Sequence, residues 1–280
     1  MGSYFFKRIR RALLTIIGVS MIVFIAVRAT GDPVMHLVAE DASAAEIARV
    51  RAELGLDKPL YVQYGLYVRQ AVTGDFGESL LYQRPAFELV LQRLPATLQL
   101  AFTAFFFSTI LGVPMGVLSA LKRGTRVDFT IRLIAVLGQS APSFWIGTLA
   151  ILLFGVHLHW LPTSGRLGPE YLILPAATLA LFSLASIVRL TRSAMLETSS
   201  ADYIKFLRSK GLPEHLIVWK HALRNALVPV AASLGIQLGH LVGGAIIIEV
   251  VFNFPGVGRL MVEALLNNDF AVVQAGVLLL

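Results

Sequence analysis

Apolar and polar segments alternate along the whole chain, and the apolar segments are long. A helix rises about 1.5 Å per residue, so about 20 apolar residues cross the roughly 30 Å hydrocarbon core of a bilayer. The pattern therefore predicts an all-α polytopic membrane protein with six transmembrane helices. The last apolar run, residues 270–280, reaches only about half of that core, so we expect the native chain to continue past Leu280. The five preceding spans are residues 13–29, 96–120, 131–156, 172–188 and 226–251.

Residues 30–95, between the first two spans, are soluble in character, with six Lys or Arg and nine Asp or Glu. Ser43 and Glu46 have the spacing of a helix capping box, which predicts a helix that starts beside them and ends at Gly55. A second helix over residues 60–72 begins after a proline and ends before a glycine. We interpret this part as a small extracytoplasmic helical insert that caps the membrane core. A ligand-gripping domain is the alternative.

These patterns divide the chain into three parts. Residues 1–29 form a cytoplasmic N-terminus and the first transmembrane helix, residues 30–95 form the insert, and residues 96–280 form a membrane core with five further helices, the last incomplete. A basic start followed by an apolar run is also the pattern of a cleavable signal peptide. No small-residue cleavage site follows it, which favours a retained transmembrane helix.

One polar segment, residues 196–229, lies between the fourth and fifth spans and is far longer than a passive connector requires. Tyr203, Phe206 and Leu207 share one face of a first predicted helix. Gly211 predicts the end of that helix, and a second helix begins two residues later and runs to the end of the segment. Apolar side chains on a short cytoplasmic helix need a partner. The segment therefore predicts a docking surface for another protein.

The distribution of basic residues predicts the orientation in the membrane. Residues 1–11, 121–132 and 189–225 together hold 15 of the 24 Lys and Arg residues. Cytoplasmic segments of membrane proteins are enriched in these residues, so we expect all three segments and both termini to be cytoplasmic. The net charge of +7 is thus a topology signal, and the sequence predicts no nucleic-acid partner.

The residue inventory excludes several kinds of chemistry. The chain has no cysteine, so it forms no disulfide and offers no thiolate. It has no phosphate-binding motif of the P-loop type, so it does not hydrolyse ATP itself. His157 and His159 could share a metal ion, but no third ligand lies near them in the sequence, and we predict no metal site and no catalytic residue.

Four polar residues in or near the fifth span are candidates for lining a translocation pathway: Gln237, His240, Glu249 and Asn253. A carboxylate at membrane depth is costly unless it faces protein or water. Glu249 could instead be a structural partner of a backbone amide or an arginine, and Gln237 and His240 could form hydrogen bonds between helices. Residues 252–270 are glycine-rich and apolar, and we expect a re-entrant segment that lines a cavity.

Small residues at four-residue spacing predict close helix packing in two spans. Gly112 and Gly116 form one such pair in the second span. Gly235, Gly239 and Gly243 form a strip along one face of the fifth span.

Short motifs along nearly the whole chain resemble those of bacterial ABC importer permeases, and most closely the dipeptide/oligopeptide/nickel subfamily. Each motif alone is weak, but their common order is specific. The residues that carry the resemblance are Gly31-Asp32-Pro33, residues 51–64, 74–80, 93–98 and 142–145, Asp202-Tyr203, and residues 208–212, 221–227 and 249–259.

The resemblance implies a non-catalytic subunit in the bacterial inner membrane. Its expected partners are a second homologous permease, two ATPase subunits and an extracytoplasmic solute-binding protein. No cofactor is expected on this chain, with ATP and Mg held by the ATPases. The segment 196–229 would be the loop that couples ATP-driven closure to the pathway, and its candidate residues are Asp202, Tyr203, Phe206, Leu207, Lys210, Gly211, Leu212, His221, Arg224 and Asn225.

One departure from the subfamily pattern lies within that loop, where Phe206 and Leu207 replace small residues. Two other classes of function are alternatives: a stand-alone channel or secondary transporter, and a membrane-bound enzyme. A channel or secondary transporter predicts buried charges in the middle of the spans. An enzyme predicts a cluster of polar side chains that converge on one site. The sequence does not identify the solute, which among such proteins is a di- or oligopeptide, glutathione, a nickel chelate or an opine. Nor does it identify the partner permease.

Overall fold

The computed structural model describes residues 2–29, 43–53 and 55–280. The Gly31-Asp32-Pro33 motif and the start of the insert lie outside the described residues. Most described residues lie in helices. The β-pairing found among them is an isolated bridge between Glu78 and Pro85. The α-helices are α1 (Gly2–Ala29), α2 (Ala44–Glu53), α3 (Leu60–Thr73), α4 (Ala86–Leu121), α5 (Arg126–Ser140), α6 (Ser143–Ala150), α7 (Ile173–Ser200), α8 (Asp202–Ser209), α9 (Glu214–Leu216), α10 (Leu223–Val251), α11 (Val257–Leu266) and α12 (Phe270–Leu279).

Four stretches of the described chain are long and apolar enough to cross a membrane, and the bent pair α5 and α6 would make a fifth. Helix α12 is apolar but has only 10 residues, so the predicted count of six spans stays a prediction. The four stretches are Phe5–Val27, Ala86–Leu121, Pro169–Ser200 and Glu214–Val251.

One compact unit comprises Met1–Leu94 and Leu260–Leu280. In it, Val23 and Val27 of α1 pack against Phe270 of α12. Helix α3 also packs on α1: the ring of Tyr64 lies edge-on to that of Phe24 at 5.3 Å between centroids. Tyrosines of the insert thus pack on the first helix.

The predicted ends of α2 and α3 are confirmed because local residues set them. Ser43 accepts a hydrogen bond from the amide of Glu46 at 3.2 Å, which is one half of the predicted capping box. Pro59 precedes the first residue of α3, and Gly74 ends that helix with φ of 77°. Only glycine adopts this left-handed conformation readily.

The second compact unit comprises Pro95–Arg259 and is organised around α7, the most buried of the four apolar stretches. Its largest core cluster joins α4, α7 and α10 and includes the fully buried Phe252 and Phe254. The predicted close approach at Gly112 and Gly116 is confirmed. A Cβ atom on Gly116 would lie 2.6 Å from Cβ of Thr191 on α7, so a glycine is required there.

The predicted third span, residues 131–156, is broken. Helices α5 and α6 meet at an angle of 105° at Ala141 and Pro142. Proline has no amide hydrogen and forces the residue before it out of the helical region. Ala141 accordingly has φ of −90° and ψ of 140°. The chain continues beyond α6 as a π-helical turn over Ile151–His157.

Two other predicted boundaries differ from the structure. The second helix of the polar segment does not end at Pro229, because α9, a π-helical stretch (Ile217–Ala222) and α10 run on as one helix. A proline is tolerated within such a helix because other groups bind the freed carbonyl. Helix α4 begins at Ala86, ten residues before the predicted second span. The segment 252–270 contains helix α11, and its predicted re-entrant arrangement stays a prediction.

Candidate functional site

Helix α8, the first helix of the polar segment 196–229, is anchored by a side chain that the sequence analysis did not select. Ile204 is fully buried and belongs to a core cluster with Met195, Ile217 and Val218. The predicted apolar face is therefore divided: Leu207 packs against the same cluster, while Phe206 is 57% exposed. This anchor fixes α8 against the end of the bundle and determines which side chains face outward.

The bend after α8 is a glycine-terminated helix cap, as predicted. Gly211 has φ of 76°. Its amide donates to the carbonyl of Arg208 at 2.9 Å, and the amide of Leu212 donates to the carbonyl of Leu207 at 3.3 Å. These two bonds define a Schellman motif, in which the residues in the positions of Leu207 and Leu212 make an apolar contact. Both leucines pack against the cluster around Ile204.

An ion pair spans the same bend. Nη2 and Nε of Arg208 donate to the two carboxylate oxygens of Glu214 at 2.7 and 3.2 Å. The hydrogen bond to Glu214 raises the pKa of the Arg208 guanidinium above its ordinary value. Because both side chains are about half exposed, solvent screens the pair and its main effect is on geometry. It holds the start of α9 against the end of α8.

The outward side of the segment carries aromatic and basic groups. Lys210 places Nζ 4.6 Å from the ring centre of Phe206. The hydroxyl of Tyr203 accepts a hydrogen bond from Asn225 at 2.7 Å, which joins α8 to α10. Trp219, which the sequence analysis did not select, is 55% exposed. These exposed side chains, Tyr203, Phe206, Lys210 and Trp219, are together called the outer face below.

The remaining predicted coupling residues lie around the same elements. Asp202 begins α8 and forms an exposed ion pair with Lys205 at 2.9 Å. His221 is half-buried in the π-helical stretch, and Arg224 is exposed in the first turn of α10. The structure thus gathers all ten candidates on α8, the bend and the start of the long helix. Their role in coupling stays a prediction.

A buried ion pair braces the base of the bundle and was missed by the sequence analysis. Asp128, which is 1% exposed, receives Nε and Nη2 of Arg192 at 2.9 and 3.1 Å. The hydroxyl of Ser119 donates to the same carboxylate at 2.6 Å and the amide of Gly124 at 3.1 Å. The pair joins the end of α4, the start of α5 and α7. Its signal in the sequence is slight: Asp128 is the one acidic residue in the basic segment 121–132.

Gln237 and His240 line a cavity of about 430 Å³ beside the break between α5 and α6. Gln237 is buried and His240 is exposed at its edge. The cavity is lined by residues 138–143 at the break, by α7 and by α10. Two of the four pathway candidates therefore share one space.

Glu249 lies elsewhere, where it caps the first turn of α11. Its carboxylate accepts hydrogen bonds from the hydroxyl of Thr97 at 2.6 Å and from the amide of Arg259 at 3.1 Å. Thr97 in turn accepts from the amide of Val257 at 2.9 Å. A carboxylate beside the free amides of a helix N-terminus is favourable. Glu249 is therefore a structural partner of a backbone amide, which is one of the roles considered for it from the sequence. This cap stabilises the helix that follows.

Asn253 adopts φ of 51° in the turn between α10 and α11. Its carbonyl accepts a hydrogen bond from Nη1 of Arg259 at 3.1 Å. It does not line the cavity that contains Gln237. The pathway role of Asn253 and Glu249 stays untested.

The two histidines considered as metal ligands lie in and just after the π-helical turn. His157 ends the π-helical turn after α6, and His159 follows it with φ of 54°. Within the part of the chain that the structure describes, no group of three His, Cys, Asp or Glu side chains could hold a metal ion.

The glycine strip on α10 packs on nothing within the described chain. A Cβ atom added to Gly235, Gly239 or Gly243 would meet no atom within 4 Å. Neighbouring Ile236 and Ile247 are exposed, at 66% and 49%. The close packing predicted for this strip is therefore absent from the contacts described within the chain.

Comparison with known proteins gives two family matches that span nearly the whole chain. Residues 112–280 match "Binding-protein-dependent transport system inner membrane component", and residues 1–101 match the N-terminal domain "Binding-prot-dependent transport system membrane comp, N-term". Glutathione transport system permease protein GsiC of Escherichia coli (strain K12) is 40% identical over 280 residues, which is 100% of this chain and 92% of that protein. The protein of the same name from Salmonella choleraesuis (strain SC-B67) is 39% identical over the same shares.

Among solved structures, the chain is similar to one of the MetNI methionine ABC transporter in inward facing conformations. The TM-score is 0.58 at 24% identity, and the match covers 68% of this chain and 87% of the other. At that identity the likeness is one of fold.

Proposed function

The chain belongs to the family of binding-protein-dependent transport system inner membrane components, and on this premise we propose how it works within an ATP-driven importer. It is a multi-pass inner-membrane permease component of the peptide type. In our proposal it forms the translocation pathway with a second homologous permease. An extracytoplasmic binding protein delivers the solute, and two ATPase subunits dock in the cytoplasm on the segment 196–229. The ATPases, and not this chain, hold ATP and Mg.

The observation that carries the coupling proposal is the construction of the polar segment. Ile204 anchors α8 to the core, and the Schellman motif and the Arg208–Glu214 pair fix the bend. A helix held this firmly transmits a push because packed interfaces shift between discrete arrangements and do not yield gradually. The outer face is meanwhile left exposed, with aromatic rings that suit a protein partner.

The names of the relatives support a proposal for the cargo. The similar proteins are named for glutathione transport, and glutathione is a small peptide. We propose short peptides or peptide-like solutes as the cargo, with selection resting largely on the binding protein. The segments 1–11, 121–132 and 189–225, which hold most of the basic residues, support a topology with both termini in the cytoplasm.

Purification of the tagged chain from its native membrane in mild detergent tests the proposal. We expect two ATPase subunits and a second permease to co-purify. Uptake of labelled glutathione and of a labelled tripeptide into proteoliposomes, with binding protein outside and ATP inside, then tests the cargo. A chain that purifies alone or as a homo-oligomer would overturn the coupling proposal and favour a stand-alone transporter.

A further inference from the structure

The cavity beside the break between α5 and α6 has a lining of uncharged polar groups. The polar residues Gln139, Gln237, Ser140, Ser143 and Ser183 line it, together with apolar residues such as Phe182. The hydroxyl of Ser140 already donates to the carbonyl of Val136 at 2.8 Å, so the other four supply the free amides and hydroxyls. Among the described residues that line it there is no Asp, Glu, Lys or Arg. Its volume of about 430 Å³ is within the usual range for small-molecule sites.

The break itself adds backbone groups to this space. Helix α5 ends at Ser140 and α6 begins at Ser143, and both residues line the cavity. The last carbonyls and the first amides of a helix lack partners within that helix. Interrupted helices of membrane transporters expose such groups only where they line a cavity.

An independent observation is a buried polar atom without a partner. Ser183 is 1% exposed, and its Oγ makes no hydrogen bond in the described chain. By contrast, the hydroxyl of Thr178, five residues earlier on α7, donates to the carbonyl of Leu174 at 2.8 Å. An unsatisfied buried hydroxyl is costly, and Ser183 lines the same cavity as Gln237. The wall of the cavity thus contains a hydroxyl whose hydrogen-bonding capacity is not used within the described chain.

We propose that this cavity binds the backbone of a peptide during its passage. The proposal rests on the proposed function and adds the chemical group that is recognised. A peptide bond is a neutral donor and acceptor pair, which side-chain amides and hydroxyls match, and the apolar lining accommodates small side chains. No Asp, Glu, Lys or Arg among the described lining residues pairs with the charged ends of the cargo, and these ends stay outside, near the exposed His240 at the edge. Recognition of the backbone alone admits peptides of varied sequence.

The absence of cysteine from the chain allows a direct test in the complete importer. Ser143→Cys introduces a single thiol of this chain at the cavity. Its rate of labelling by a fluorescent maleimide is measured in nanodiscs, with the label quantified on this chain alone. Thr148→Cys, on the same helix but exposed and outside the lining, is the matched control.

Three probes separate the recognised group from the charges: trialanine, free alanine, and the neutral N-acetylalanine methylamide. We expect trialanine and the neutral compound to slow labelling at Ser143→Cys severalfold and free alanine to have no effect. Labelling at Thr148→Cys should not change with any of them. Protection by alanine alone, equal protection at both positions, or no protection would each overturn the proposal.

A second variant connects the protection to a named group. Adding Gln237→Leu to the Ser143→Cys chain removes one amide at nearly constant volume. We expect the half-protecting concentration of the neutral compound to rise about fivefold, as for the loss of one hydrogen bond. An unchanged value would contradict a role for Gln237. The labelling experiments use the complete importer with its ATPase subunits. A lack of protection there would contradict the peptide site alone and leave the importer assignment intact. Failure of the ATPase subunits to co-purify with this chain would instead contradict the importer assignment.

Discussion

Arg192 on α7 makes two hydrogen bonds to the carboxylate of Asp128 on α5, 64 residues away in the sequence. The Asp128 side chain is 1% exposed and that of Arg192 is 22% exposed, so solvent hardly screens the pair. Arg132 adds a contact from outside at 3.2 Å. This ion pair closes the end of the bundle from which the segment 196–229 emerges.

The first prediction concerns this ion pair. Asp128→Asn should destabilise the chain by about 3 kcal/mol, because it leaves the partly buried guanidinium of Arg192 without its carboxylate. Thermal unfolding of the purified complex in detergent provides the measurement. Asp202→Asn is the control, since that carboxylate is 98% exposed and its loss should have little effect. A double-mutant cycle with Arg192→Gln should return a large coupling, and additive effects would contradict the assigned pair.

The second prediction concerns the bend. Gly211→Val should uncouple ATP hydrolysis from transport, because a β-branched residue at φ of 76° costs about 1–3 kcal/mol of strain. A Cβ atom would meet no other atom within 4 Å, so the effect is conformational and not steric. Gly211→Asn is the matched variant, since asparagine tolerates this region, and should retain most coupling. ATPase and uptake rates in proteoliposomes report both, and full transport by Gly211→Val would refute the role of the bend.

The third prediction concerns docking. Lys210→Glu and Arg224→Glu should each reduce co-purification of the ATPases, because both basic residues lie on or beside the outer face. Lys122→Glu is the control, with the same charge change on another exposed basic segment. If all three variants assemble like the parent, Lys210 and Arg224 do not contribute to docking, and their charges act only in setting the membrane orientation.

A fourth prediction concerns the contact between α10 and α11. A Cβ atom on Gly258 would lie 2.4 Å from Cα of Ile246, so Gly258→Ala must displace the backbone. We expect a loss of about 1–3 kcal/mol, as for overpacked cores, measured by the same thermal assay. At Gly65 an added Cβ meets nothing within 4 Å, and Gly65→Ala in helix α3 should be neutral or stabilising. Equal stability of the two variants would contradict the close approach.

Features set by neighbouring residues could be predicted from the sequence. Ser43, Gly74 and Gly211 act on the backbone next to them, so their patterns determined helix ends correctly. The bonds from Asp128 to Arg192 and from Glu249 to Thr97 join residues far apart in the chain, and no local pattern records them. The effect of a proline is likewise not determined by local sequence. Pro142 breaks a helix and Pro229 does not, and the difference depends on groups outside the local sequence.

The corrected end of the polar segment has a mechanical consequence. Residues Glu214–Val251 run as 38 residues of nearly continuous helix, which at about 1.5 Å per residue is a rod of about 57 Å. One end of this rod lies beside the outer face, its middle carries Gln237 and His240, and its far end carries Glu249. A tilt imposed at the end beside the outer face therefore acts through a lever arm: the same rotation moves the far end by a distance that grows with its separation from the pivot. The π-helical stretch Ile217–Ala222, near the driven end, is the joint at which such a lever would flex.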